Sequence, residues 1–244
     1  MFTSIRNLLR IRPNVKSNRE INISVEQLLG NYEDRRFQYS LRFEALQHAS
    51  YLKSYLDINR KFIIFSCFDS LALRNRRQLN VVEIGVCYGG NLEYMKHLSD
   101  FLFLDTKLFA FDTFEGHPHV NRTYDNISKH HVGKFFLKYR SNTLETLEQL
   151  GVEVHIGDII KTLETVTFEN GIDFMHLDTD LFDSTKFVLE RLPNLLNIGG
   201  ICLLDDFKCE TTPGIIAAFN SVELGSKFTC LETPFNQVMI IRLN

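Results

Sequence analysis

The alternation of apolar and polar residues changes character near residue 78. Before that point apolar positions recur at helical spacing. Leu41, Ala45, His48, Ala49, Leu52, Tyr55 and Leu56 share one helical face, and Phe62–Leu73 is apolar enough for a buried helix. Further upstream, Ser24 and Gln27 match a capping box. The run from Arg74 to Gln78 reads as a solvated connector. The pattern therefore predicts a helical N-terminal region over residues 1–78. On an α/β body such a region acts as a lid or an oligomer contact, which makes a homo-oligomer one expectation.

From residue 79 onward short apolar runs alternate with helical segments. The predicted strands are Val81–Ile84, Leu108–Phe111, Val152–Ile156, Ile172–Leu177 and Ile201–Leu204. Helices are predicted at Asn91–Leu98, Thr143–Leu150, Ile159–Leu163 and Thr185–Leu192, the last stopped by Pro193. Strands joined by helical crossovers imply a mainly parallel sheet with helices on both faces. Two more runs, Lys227–Leu231 and Val238–Ile241, are too close for a crossover and should pair as a hairpin. The expected fold is α/β, a Rossmann-like, mainly parallel seven-stranded sheet over residues 79–244 that ends in an antiparallel hairpin.

Glycines and carboxylates gather at the predicted strand ends. The first strand runs into Glu83-Ile84-Gly85, followed by Gly89-Gly90 and a helical pattern. Gly85 permits a sharp turn, and Gly89 or Gly90 permits a ligand to approach the backbone. The spacing is not the GxGxxG that sets a helix N-terminus against a pyrophosphate, which favours S-adenosylmethionine over a dinucleotide. Asp112 ends the second strand, placed to accept both ribose hydroxyls. Asp158, after the third, is placed to take the adenine amino group. Glu83 and Asp158 would each pass singly as loop or cap residues; in register with Asp112 they read as one cofactor site.

The fourth strand ends in Asp178-Thr179-Asp180 and the fifth in Asp205-Asp206. If those strands are neighbours, their ends lie about 5 Å apart. Asp178, Asp205 and Asp206 would then repel one another unless a cation joined them, and an all-oxygen set suits Mg²⁺. Such an ion would chelate two adjacent substrate oxygens and lower the pKa of one hydroxyl. Asp180, two residues past a ligand, is the candidate general base, with helix capping as its alternative role. Asp183 reads more simply as a cap. His117, His119, His130 and His131 flank or occupy a polar loop where a substrate lid would sit.

Charge and composition narrow the classes. A formal charge of −3 lacks the basic excess of a nucleic-acid surface. No apolar run is long enough to span a membrane. The five cysteines form no CxxC pair and no metal-ligand spacing, consistent with reduced thiols in a cytoplasmic protein. Residues 1–19 carry five basic and no acidic side chains. That is the look of a transit or membrane-surface segment, or of a short amphipathic helix packed on the body.

Residues Val82–Gly90, Phe111–Gly116, Leu177–Phe182 with Ser184-Thr185, and Gly199-Gly200 followed by Asp205-Asp206-Phe207 resemble the macrocin O-methyltransferase family. The resemblance spans roughly residues 80 to 207. It implies a Mg²⁺-dependent enzyme that methylates sugar hydroxyls with S-adenosylmethionine. Asp178, Asp205 and Asp206 would be its metal ligands and Asp180 its base. Its cofactor set would be Glu83, Gly85, Gly89, Gly90, Asp112, Phe114 and Asp158. The partner would be a small-molecule or glycan acceptor. Two positions depart from the family pattern: Tyr88 stands where an Arg is usual, and Thr179 where Gly is common. The alternatives are a nicotinamide-dependent oxidoreductase and a catalytically silent cofactor-binding protein.

Overall fold

The computed structural model describes residues 52–74 and 78–244. The basic N-terminus, the capping box at Ser24 and most of the periodic face from Leu41 lie outside these residues. The end of that face, residues 52–57, is not helical. Its backbone is engaged elsewhere: the Leu52 N–H donates to Glu93 (2.7 Å), and the Lys53 carbonyl accepts from Gly90 N–H (3.2 Å). Tertiary bonds thus override local periodicity. The first helix, α1, follows at Ile58–Arg74.

Among the described residues seven strands form one sheet in the order β3-β2-β1-β4-β5-β7-β6. The parallel strands are β1 (Leu79–Ile84), β2 (Thr106–Asp112), β3 (Glu153–Ile156), β4 (Ile172–Leu177) and β5 (Leu196–Leu204). β7 (Val238–Arg242) inserts antiparallel between β5 and β6 (Phe228–Glu232). The expected architecture, terminal hairpin included, is the one observed. β1 and β4 are central and buried along their whole length, as strands covered on both faces must be.

Strand alternation sorts the core. Val82, Ile84, Phe109, Phe111, Met175, Leu177, Cys202 and Leu204 point to one face. There they meet Ile159 of α4 (Ile159–Thr162), Val188 and Leu189 of α5 (Phe182–Leu189), and Ile215 of α7 (Pro213–Ser221). The other face carries α1 and α2 (Gly90–Phe101), with Phe68 of α1 edge-on to Phe174 of β4 at 5.1 Å. α3 (Arg140–Gln149) precedes the edge strand β3.

Three elements differ from expectation. Pro193 does not stop a helix; it sits in the first turn of a separate short one, α6 (Leu192–Leu195), where its missing N–H costs nothing. β5 begins five residues before the predicted strand, because Gly199 (φ 78°) lets the pairing shift register and continue. α7 falls in a stretch where the pattern predicted no element. Pro213 opens this helix, and Gly214 leaves room for Asp125: a Cβ there would lie 2.1 Å from Asp125 Oδ1.

That carboxylate fastens the long loop between β2 and α3 to the sheet. Asp125 Oδ1 accepts from the Phe182 N–H at the start of α5 (2.8 Å), and Oδ2 accepts from Asn121 N–H (2.7 Å). Asp125, not Asp183, therefore caps this helix; Asp183 instead accepts from Asn121 Nδ2 (3.0 Å). Asp125→Ala is expected to cost about 1–2 kcal/mol, as loss of a buried cap does. Urea melts of the two proteins would measure it, and an unchanged midpoint would contradict the capping role.

Candidate active site

The chain reverses its direction of strand addition between β1 and β4, the switch point at which open α/β sheets bind ligands. A cavity of about 330 Å³ lies there, lined by the carboxyl ends of β1 to β5, the loop after β2 and the start of α1. Its size falls within the about 300–1,000 Å³ typical of small-molecule sites.

On the β1–β3 side, Gly85 adopts φ 88° and the Asp178 backbone passes so close that a Cβ would lie 1.8 Å from the Asp178 carbonyl oxygen. Asp112 lines the cavity and is held by two backbone donors, Cys87 N–H to Oδ2 (2.7 Å) and Phe114 N–H to Oδ1 (2.6 Å). Burial raises its pKa despite those bonds. Each oxygen keeps a further lone pair for an incoming hydroxyl. Asp158 caps α4 through Ile160 N–H (3.1 Å), and it also lines the cavity, with His119 3.6 Å from Oδ2.

The remaining cofactor candidates lie behind this wall. Phe114 (φ 51°) is buried and contributes its N–H to Asp112. Gly89 and Gly90 are close-approach positions, but the approaching group is the chain itself. A Cβ on Gly90 would meet the Lys53 carbonyl at 2.5 Å, and one on Gly89 the Leu52 side chain at 3.1 Å. Glu83 is buried beneath the cavity on the α1–α2 face, accepting from Asn91 Nδ2 (2.5 Å) with His176 Nδ1 at 3.1 Å. Tyr88 packs against Tyr55 at 5.7 Å, with the Lys53 ammonium 4.9 Å from its ring.

The β4–β5 side gathers the acids. β4 and β5 are neighbours with Leu177 opposite Leu204, so Asp178 and Asp205 emerge side by side. Asp180 and Asp206 follow in left-handed backbone (φ 61° and 54°), a conformation that costs roughly 1 kcal/mol or more per residue and turns both side chains into the cavity. One carboxylate oxygen each from Asp178, Asp180 and Asp206 lies within 4.8 Å of the others. Burial first, then mutual repulsion, pushes Asp178 and Asp180 well above the usual carboxylate range. Asp205 is also raised by burial, although His176 and Arg60 oppose it. Thr179 turns its hydroxyl to Thr185 Oγ1 (2.7 Å) and so ties this turn to α5.

A guanidinium is ion-paired with the cluster. The Arg60 Nη1 of α1 lies 3.0 Å from both Asp205 Oδ2 and Asp206 Oδ1. Burial disfavours its charge, but the two carboxylates outweigh that and hold its pKa above the ordinary value. Arg60 and the more distant Lys134 together still leave four carboxyl groups short of positive charge. Asp205 Oδ1, fully buried, finds no donor among the described residues. An all-oxygen donor set with an orphaned buried carboxylate oxygen suits a hard divalent ion. His176, on the opposite side, sits between Glu83 and Asp205 (Nε2 3.9 Å from Oδ2). Burial opposes its charged form, yet Glu83 and Asp205 leave its pKa raised.

These acids set a pH dependence. Without a divalent ion the folded protein holds protons on Asp178, Asp180 and Asp205 that the unfolded chain releases near about pH 4. The folded state then binds more protons, so stability falls as pH rises through the raised range. Melting temperature is expected to drop with pH in chelator, and Mg²⁺ is expected to restore more of it at about pH 8 than at about pH 5. An equal Mg²⁺ effect at both would contradict this.

Sequence reasoning left several cavity residues unassigned. Arg60 comes from α1 and Tyr55 from the segment before it, where no motif marks them, while Lys134 and Phe135 come from the loop after β2. The same loop brings in His117, whose Nε2 lies 3.9 Å from Asp180 Oδ2 and 3.1 Å from His130 Nδ1. Burial, followed by His130, lowers the His117 pKa to about 3. His130 is likewise lowered by burial. Only His131 is the exposed surface histidine that a polar loop suggests.

Residues 49–226 match the family model described as Macrocin-O-methyltransferase (TylF). The chain belongs to the macrocin O-methyltransferase family. It is accordingly an O-methyltransferase, and the nicotinamide-dependent alternative is set aside. Among curated proteins no sequence match is found. Solved structures share the fold. The O-methyltransferase NovP superposes with a TM-score of 0.68 at 19% identity, covering 78% of this chain and 82% of NovP. The calicheamicin methyltransferase CalS11 gives 0.67 at 18%, covering 94% and 99%. The SAH-bound methyltransferase PaMTH1 of Podospora anserina gives 0.50 at 13%, covering 94% and 100%. No helix among the described residues is long and apolar enough to cross a membrane.

Proposed function

We propose that this O-methyltransferase moves the methyl group of S-adenosylmethionine to a hydroxyl of a sugar or other vicinal diol. The observation that carries the proposal is the division of one cavity into two sets of strand ends. Gly85, Asp112 and Asp158 line one side; Asp178, Asp180, Asp205 and Asp206 line the other. The first set suits the ribose and adenine of the methyl donor. In the second, Asp178, Asp205 and Asp206 would hold Mg²⁺.

When bound, S-adenosylmethionine supplies an already activated sulfonium methyl, and Mg²⁺ supplies a Lewis acid that acidifies an acceptor hydroxyl. The protein contributes the rest. Asp112 fixes the donor through its ribose, and the Gly85 turn keeps the backbone clear of it. Asp180 accepts the proton of the attacking hydroxyl. Burial and the neighbouring acids raise its pKa, which makes it a stronger base than an ordinary aspartate, and a cation bound in the cluster would favour its ionised form. Arg60 balances the charge of Asp205 and Asp206 and keeps them in place. Much of the acceleration is then positional, since two reactants are held in line.

A sugar acceptor is supported by CalS11, which is described as a TDP-rhamnose 3'-O-methyltransferase. The apolar wall of Tyr55 and Phe135 beside Lys134 gives a saccharide surfaces to lie against. None of the five cysteines is joined in a disulfide, in keeping with a cytoplasmic setting. Calorimetric titration with S-adenosylhomocysteine, with and without Mg²⁺, tests the donor site. Micromolar binding is expected in both conditions, and its absence in both would remove the proposal.

A further inference from the structure

Two buried histidines of the loop between β2 and α3 have no part in this reaction. One ligand atom each from His117, His130 and Asp180 lies within 4.8 Å of the other two. His130 is 2% exposed and its Nε2 is 3.0 Å from the Thr211 carbonyl oxygen. A carbonyl only accepts, so Nε2 carries the proton, and Nδ1 is left bare and facing His117. Metal-bound histidines are anchored in this way, one nitrogen on a carbonyl and the other on the ion.

The distances agree. Two tetrahedral ligands on an ion with bonds of about 2.1 Å stand about 3.4 Å apart. The His117–His130 and His117–Asp180 separations of 3.1 and 3.9 Å bracket that value. The donor set also differs in kind from the neighbouring one. Two imidazole nitrogens and one carboxylate oxygen suit a borderline ion, whereas Asp178, Asp205 and Asp206 offer oxygen alone.

We propose that His117, His130 and Asp180 form a second cation site, selective for a borderline transition ion such as Zn²⁺ over Mg²⁺. Three protein ligands leave the fourth tetrahedral position open to the cavity that His117 and Asp180 line. Occupancy replaces the hydrogen bond between the rings. The proton on His117 Nε2 transfers to its Nδ1, and no electron changes hands. Bound Zn²⁺ takes up the lone pairs of Asp180 and so slows methyl transfer. That consequence rests on Asp180 being the base; the site itself does not.

The visible absorption of Co²⁺, a spectroscopic stand-in for Zn²⁺, tests the site in the full chain with Mg²⁺ saturating. A stoichiometric d–d band is expected. Its Co²⁺ affinity should fall by roughly tenfold or more in both His130→Gln and His117→Gln, and change little in Asp206→Asn. Thermal melts and S-adenosylhomocysteine binding check the fold of each variant. If His130→Gln does not fold, His117→Gln, which alters the cavity-lining ring, decides alone. No band in the presence of Mg²⁺ would overturn the proposal, as would a band that survives the histidine changes and is lost with Asp206. An intact band without inhibition by Zn²⁺ would instead count against Asp180 as the base.

Discussion

Asp205→Asn is expected to lower kcat by roughly a thousandfold, equivalent to about 4 kcal/mol of transition-state stabilisation. Asp205 is buried at 1% exposure, with Oδ2 shared by Arg60 and Oδ1 lacking any donor among the described residues. The amide would put a donor group or a neutral oxygen where the proposed divalent ion would need charge. It would also leave Arg60 with Asp206 as its main partner. The methyl-donor side is built on other strand ends, so affinity for S-adenosylhomocysteine should change by no more than about threefold, or about 0.7 kcal/mol. Steady-state kinetics and calorimetry on the same preparation check both halves. A parallel loss of turnover and of S-adenosylhomocysteine affinity would mean that the two sides of the cavity are not separable.

Gly85→Ala is expected to be among the most destabilising single changes in the chain, costing more than about 4 kcal/mol. Two costs combine there. The residue has φ 88°, and its Cβ would overlap the Asp178 carbonyl at 1.8 Å, a backbone atom with no rotamer to change. To admit the methyl group, the end of β1 must part from the end of β4, where Asp178 N–H donates to Ile84 O (2.9 Å). Gly133→Ala separates the two costs. Gly133 has φ 80° but nothing within 4 Å of its would-be Cβ, so it should lose only the dihedral cost of about 1 kcal/mol. Denaturant melts of both variants make the comparison. Equal losses would show that close approach of the chain at Gly85 is not what demands glycine there.

The strands and the acids at their ends were legible because each stands at a sharp boundary. A run such as Ile172–Leu177 is mostly apolar and then breaks into Asp178-Thr179-Asp180, and the parallel sheet brings the ends of five strands to one edge. The terminal hairpin was legible from the shortness of its connection. What escaped the sequence depends on partners far along the chain. Arg60 looks like an ordinary solvated position on a helix, yet its partners are Asp205 and Asp206, about 145 residues on. The helical spacing through Leu52, Tyr55 and Leu56 is outweighed by Glu93 and Gly90, which take the backbone groups a helix would have used. Gly89 and Gly90 announced that something approaches closely, but a sequence gives no sign of whether that is a ligand or another part of the chain. α7 was hidden because its glycine serves Asp125, a residue of a distant loop.

The place of Arg60 bears on how members of this family diverge. The described residues before Leu79 precede the sheet and look replaceable, a segment that recombination could swap between enzymes to change the acceptor. Such a swap would not be neutral for the reaction centre, because it would exchange the counter-charge of Asp205 and Asp206 together with the cavity wall at Tyr55. Chimaeras joined between α1 and β1 should therefore inherit ion affinity from the N-terminal parent and donor recognition from the C-terminal one. New acceptors and new tolerance for cations would then arise as a linked trait, carried by the stretch that holds Tyr55 and the helix of Arg60.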